Sequence, residues 1–219
     1  SSRTRSAGDH RADDRVRGAA DTQIVFLGDL VDRGSDSAGV IETAKALRGQ
    51  GRTVRYLMGN HEEVFLKACR ERDTKTLRFF LKIGGDATLQ SYPITRAEYI
   101  ELDIEQLAER LETLVPEEHL AFLESFEDMI VLGDYAFVHA GIRPGIALDQ
   151  QTETDLIWIR DPFLTRTESF GPLIVHGHTA IDHATHYGNR LNLDSGAAYG
   201  GPLSAVVIEG REAALLTPG

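Results

Sequence analysis

Four short apolar runs in this chain end in the same way. Ile-Val-Phe-Leu leads to Gly28-Asp29, and Arg-Tyr-Leu-Met leads to Gly59-Asn60-His61. Tyr-Ala-Phe-Val leads to His139, and Leu-Ile-Val leads to His176-Gly177-His178. Each run reads as a buried strand, and each stops at Asp, Asn or His, often beside a glycine that lets backbone come close. Ligands of open α/β sheets bind outside the carboxyl ends of strands. Four such ends converging on one crevice would gather a carboxylate, an amide oxygen and imidazoles around one centre. That donor set suits Mn, Fe, Zn or Co rather than Ca, which takes all-oxygen cages.

The pattern between these ends fixes the fold class as α/β. Gln23–Leu27, a helix over 36–48 and a strand at Thr53–Met58 make a βαβ unit, hence a parallel pair with a right-handed crossover. In that helix Val40, Ile41, Ala44 and Leu47 share one face. Residues 62–127 then read as a helical insertion. A helix starts at Thr95, with Glu98 closing a capping box, and carries Ile100, Ile104, Leu107, Leu111 and Leu114. Pro116 opens another helix, and Gly84-Gly85 separates two earlier pieces. Short strands return at 128–132, 135–139, 173–176, 184–187, 190–194, 203–209 and 212–216. Residues 1–22, rich in Arg, Asp and Ser, read as a solvated tail or linker ahead of one domain, 23–219.

Composition narrows the function classes. Lys plus Arg number 23 against 34 Asp plus Glu, a net charge of −11 that disfavours nucleic acid as a partner. No apolar run approaches the ~18 residues of a membrane span, so no membrane association is expected. Cys69 is the single cysteine, which excludes a disulfide framework and favours a reducing, cytoplasmic setting.

Gly28-Asp-Leu-Val-Asp-Arg-Gly34, Gly59-Asn-His-Glu62, His139-Ala-Gly141 and Gly177-His-Thr179 resemble the signature blocks of the phosphoprotein phosphatase family of calcineurin-like metallophosphoesterases. The resemblance is to its compact bacterial members. It implies a sandwich of two β-sheets flanked by helices, with two divalent metals at the strand ends, Mn first and Fe, Zn, Co or Ni as alternatives. It also implies that Asp29 bridges both metals and that Asn60, His139 and His178 complete the second site. His61 would protonate the leaving oxygen, with Asp32 orienting it, and Arg33 would grip phosphoryl oxygens. Arg160, in Leu156-Ile-Trp-Ile-Arg-Asp161, resembles the region of a second phosphate-binding arginine.

The chemistry is consistent with those roles. Paired cations about 3.5–4 Å apart lower the pKa of a water and clamp a phosphoryl transition state. A carboxylate-oriented His gives up a proton near neutral pH, and a guanidinium fork matches two phosphoryl oxygens. The family's opening block, GDxHG, has no good counterpart. Gly8-Asp9-His10 puts Asp and His on opposite faces of any strand, so neither is expected to be a ligand. The expectation is that the first strand and helix are missing from this chain.

The activity implied is hydrolysis of phosphomonoesters, with phosphoserine or phosphothreonine proteins as substrates ahead of other small phosphoesters. The alternatives are a symmetrical dinucleoside-tetraphosphate hydrolase and, if the first metal site is absent, a non-catalytic phosphate- or phosphoprotein-binding domain. Several residues are read more plainly. Glu62 and Glu63 cap or salt-bridge, His119 is solvated, His183 and His186 are exposed, and Cys69 is buried in a helix. His176 is either beside the metal or a hydrogen-bonded core residue.

Overall fold

The first apolar run becomes strand β1 (Gln23–Phe26). It is hydrogen-bonded to β2 (Thr53–Tyr56) as a two-stranded sheet in the computed structural model, which describes residues 22–50, 53–210 and 212–216. The tail read at 1–22, with Asp9 and His10, lies outside the described residues except for Thr22. Val25–Asp128 forms one compact unit, and the residues from Met129 onward form the other, to which Gln23 and Ile24 are assigned.

Helix α1 (Ser37–Arg48) joins the two strands of the first unit, and the Asp36 carboxylate caps it by accepting from the Gly39 N–H at 3.0 Å. Ile41 and Ala44 are buried, Leu47 is half-buried, and Val40 is exposed, so the buried stripe is narrower than the sequence suggests. Tyr56 anchors this layer. Its ring stacks between Phe26 and Phe126 at 4.9 and 5.1 Å, and its hydroxyl donates to the Ala44 carbonyl.

After β2 come the helices α2 (Asn60–Glu71), α3 (Thr74–Phe80), a π-turn at Leu81–Gly85, α4 (Asp86–Gln90), α5 (Arg96–Glu101), α6 (Ile104–Leu114) and α7 (Glu117–Glu124). The helix expected from Thr95 through Leu114 is two helices. Thr95 caps the first, and Asp103 caps the second through a capping box with Gln106. Ile100 on the short first piece is exposed. Phe65, Leu77, Phe80, Leu89, Leu111 and Leu123 fill the core between these helices.

The second unit is built on a five-stranded sheet in the order β3-β4-β5-β7-β6, from Met129–Leu132, Tyr135–Val138, Leu173–His176, Arg190–Asn192 and Thr185–His186. Strands β4, β5 and β7 run parallel, and the outer two pair antiparallel. Helix α8 (Glu153–Trp158) lies in the connection between β4 and β5, and β8 (Ala205–Glu209) with β9 (Glu212–Leu216) forms a separate antiparallel pair. The parallel strands β4 and β5 are buried on both faces, as their unbroken apolar sequences require. No described helix is long and apolar enough to cross a membrane.

Candidate active site

In the first unit the segment after β1 is a tight loop. Asp29, Asp32 and Arg33 all have left-handed backbone, with φ of 57, 73 and 64°. Non-glycine residues held there cost about 1–3 kcal/mol each, so the surroundings must over-determine them. Glu62, the third residue of α2 and fully buried, supplies much of that hold. Its carboxylate accepts from the N–H groups of Asp29, Leu30 and Val31 at 2.8, 2.5 and 3.2 Å, and from Gly59 at 3.1 Å. Gly59 is required here: a Cβ on it would lie 2.4 Å from both an Asp29 and a Glu62 carboxylate oxygen.

Asp32 and His61 form a buried pair. His61 Nδ1 lies 2.6 Å from Asp32 Oδ2, and each residue is at most 6% exposed. Thr88, on α4, donates to Asp32 Oδ1 at 2.7 Å, and its hydroxyl oxygen accepts from the Asp32 N–H at 2.8 Å. Both ends of Asp32 are thereby fixed. Burial opposes charge on His61, but the Asp32 hydrogen bond and the Asp29 and Asp32 carboxylates outweigh it and raise its pKa above 6.5. The Asp29 carboxylate accepts from the His61 N–H at 3.3 Å, and Asn60 beside it is 4% exposed. Arg33 is exposed, and its N–H donates to the Gly84 carbonyl at 3.0 Å.

In the second unit His139 follows β4 and His178 lies two residues past β5. The parallel register aligns the two strand ends, and the Gly177 N–H donates to the His139 carbonyl at 2.8 Å. The imidazole rings are 5.2 Å apart at 69°, with the Trp158 ring 6.3 Å from His178. His178 takes φ of 64°, so β5 ends at His176, where the sequence places the end of the strand. Arg160 is exposed just past α8.

His176 is a core histidine. It is wholly buried, its Nδ1 lies 3.1 Å from the Gly177 carbonyl, and Arg190 Nη1 lies 3.3 Å from its Nε2. Burial pushes its pKa down to about 3, and it stays neutral. His119 is not solvated as expected. It is 4% exposed, with Tyr92 Oη 2.9 Å from Nδ1 and Glu42 2.5 Å from Nε2. Glu42, Glu118 and His119 group their donor atoms within 4.8 Å, but Lys45 bonds both carboxylates, so the group is an ion-pair network. Burial pushes the Cys69 thiol up to about 12, which leaves it inert.

Each unit thus presents donors for a borderline divalent metal: a carboxylate and an amide in the first, two imidazoles in the second. The family pattern described as calcineurin-like phosphoesterase matches residues 11–207. The chain belongs to the calcineurin-like phosphoesterase family. Among relatives of this phosphoesterase, the asymmetrical bis(5'-nucleosyl)-tetraphosphatase PrpE of Anoxybacillus flavithermus is 29% identical over 200 residues, 84% of this chain and 74% of that protein. The enzyme of the same name from Geobacillus thermodenitrificans is 27% identical over 198 residues, 83% of this chain and 73% of that protein. A solved structure, the cold-active protein-tyrosine phosphatase of a psychrophilic Shewanella, superposes with a TM-score of 0.52 at 16% identity, covering 90% of this chain and 70% of that one. That likeness shows the α/β fold. Calcineurin-like phosphoesterases use divalent metals, and this chain carries residues of the right chemistry to hold them.

Two contributors escaped the sequence reading. Glu62 reads in sequence as a residue that caps or salt-bridges, and three of its bonds reach backbone about thirty positions away. Thr88 had no motif to announce it.

Proposed function

We propose that this phosphoesterase hydrolyses phosphomonoesters, with phosphoserine and phosphothreonine proteins as its substrates. Asp29, Asn60, His139 and His178 would hold divalent metal, Mn before Fe, Zn, Co or Ni. When bound, the metal supplies a water of lowered pKa and neutralises phosphoryl charge. The chain's own residues do the rest. Asp32 accepts from His61 Nδ1–H, so the proton given to the leaving oxygen sits on Nε2. The Asp32 and Asp29 carboxylates favour that doubly protonated ring, and burial of both residues excludes competing water. Arg33, exposed at the loop tip, presents its guanidinium to phosphoryl oxygens, and Arg160 adds a second cation.

The observation that carries this reading is the buried His61–Asp32 pair at 2.6 Å. An acid of this kind matters most where the leaving group is a poor one, as an alkoxide of serine or threonine is. The complete Asp32-Arg33 and Glu62 blocks favour protein substrates over symmetrical dinucleotide cleavage.

The relatives support a second reading. Their name is asymmetrical bis(5'-nucleosyl)-tetraphosphatase, whose reaction on a dinucleoside tetraphosphate would yield two unequal nucleotides. The test is a side-by-side assay with Mn2+. Release of phosphate from a phosphoserine peptide with kcat/KM at or above that for diadenosine tetraphosphate supports the first reading. Turnover of the dinucleotide alone, to unequal products, replaces it with the second.

A further inference from the structure

We propose that Glu62 is a positioning residue: its carboxylate ties the loop bearing Asp29 to the turn bearing Asn60 and so sets the geometry in which both can take metal. This rests on the reading of Asp29 and Asn60 as ligands. An ordinary capping-box glutamate at the third helical position reaches back to one N–H, that of the residue capping the helix. Glu62 makes that bond, to Gly59, and three more to Asp29, Leu30 and Val31. One carboxylate has room for about four such bonds, so these backbone N–H groups take up its acceptor capacity. Oε2 alone joins the Asp29 N–H to the Gly59 N–H, which precedes Asn60 directly.

The bonds fall where the backbone most needs them. Asp29 sits at φ of 57°, a conformation no helix or strand supports. Its amide and the next two point at one buried anion, and the missing Cβ of Gly59 is what lets that anion in. A neutral amide in place of the carboxylate would halve the acceptors and aim an NH2 at backbone donors. The loop would then lose its anchor at Asp29 while keeping the α2 core residues Val64, Phe65 and Ala68.

The experiment compares metal-free wild type, Glu62→Gln and Asp29→Asn by calorimetric titration with Mn2+ alone and by amide hydrogen exchange. Glu62→Gln should bind Mn2+ at least tenfold more weakly. Its Asp29, Leu30 and Val31 amides should exchange at least tenfold faster, while amides of β4 and β5 keep their protection. Wild-type Mn2+ affinity in Glu62→Gln, with weak binding in Asp29→Asn, overturns the proposal and leaves the ligand reading intact. Wild-type affinity in Asp29→Asn overturns the ligand reading itself. If Glu62→Gln does not fold, wild-type exchange decides. Slow exchange at Asp29, Leu30 and Val31, outside any helix or strand, supports the clamp, and fast exchange there overturns it.

Discussion

At the scale of single residues, His61 and Asn60 are neighbours in sequence with different proposed tasks. His61 turns its Nδ1 to Asp32, 2.6 Å away, and is held there by Thr88 acting on Asp32. Asn60 is left as the candidate ligand. His61→Asn should therefore keep Mn2+ content near that of wild type. It should slow hydrolysis of an alkyl phosphate such as phosphoserine by roughly 10²–10⁴-fold, the usual worth of a general acid. An aryl phosphate with an acidic phenol needs less protonation and should slow less. The measurement is the aryl-to-alkyl rate ratio, with metal content by elemental analysis alongside. An unchanged ratio, or stripped metal, removes His61 from the acid's role. Thr88→Val should move the ratio in the same direction by a smaller factor, because it removes both hydroxyl bonds to Asp32 without removing the proposed acid.

Among the elements, the strands were the most legible, because continuous apolar runs such as Leu173–Val175 have no other way to bury both faces. Helix ends were less so. The apolar period runs unbroken from Ile100 to Leu114, yet Asp103 and Gln106 form a capping box that starts a new helix. Both residues are in the sequence, and their capping bonds outweigh the apolar period in setting where the helix breaks. His119 was illegible for a different reason: its partners, Tyr92 and Glu42, lie 27 and 77 positions away. The motifs named Asp29, Asp32 and His61, but not the Glu62 bonds that hold their loop. The π-turn at Leu81–Gly85 offers a test at this scale. Gly84 has φ of 114°, and a Cβ there would lie 2.6 Å from Arg33 Cγ and 3.2 Å from Arg33 N. Gly84→Ala should cost about 1–3 kcal/mol of stability and displace Arg33. A fall in kcat/KM of about tenfold, or ~1.4 kcal/mol of transition-state binding, should accompany it. Gly133→Ala, at φ of 57° with nothing within 4 Å, is the control: it should lose stability and keep kcat/KM. Equal kinetics in the two variants would mean that Gly84 does not support Arg33.

For the whole molecule, the proposed ligands come from both sides of the helical insertion in the sequence, Asp29 and Asn60 before it and His139 and His178 after it. A metal that binds only the folded chain adds RT ln(1 + [L]/Kd), about 2.7 kcal/mol at a hundredfold excess over Kd. For a chain of this length that corresponds to a rise in Tm of about 5–11 °C. A net charge of −11 complicates the measurement, since any divalent cation relieves some self-repulsion. Mg2+ at the same concentration measures that general effect, because it is held poorly by imidazole. The expected result is a Tm rise with Mn2+ well beyond that with Mg2+, reversed by EDTA. His139→Asn and His178→Asn should each remove the excess and leave the Mg2+ response alone. His61→Asn should keep the excess, since its ring is committed to Asp32. If Mn2+ and Mg2+ raise Tm equally in wild type, or if both His139→Asn and His178→Asn keep the difference, the histidines that follow β4 and β5 are not metal ligands. The catalytic reading would then rest on the first unit alone.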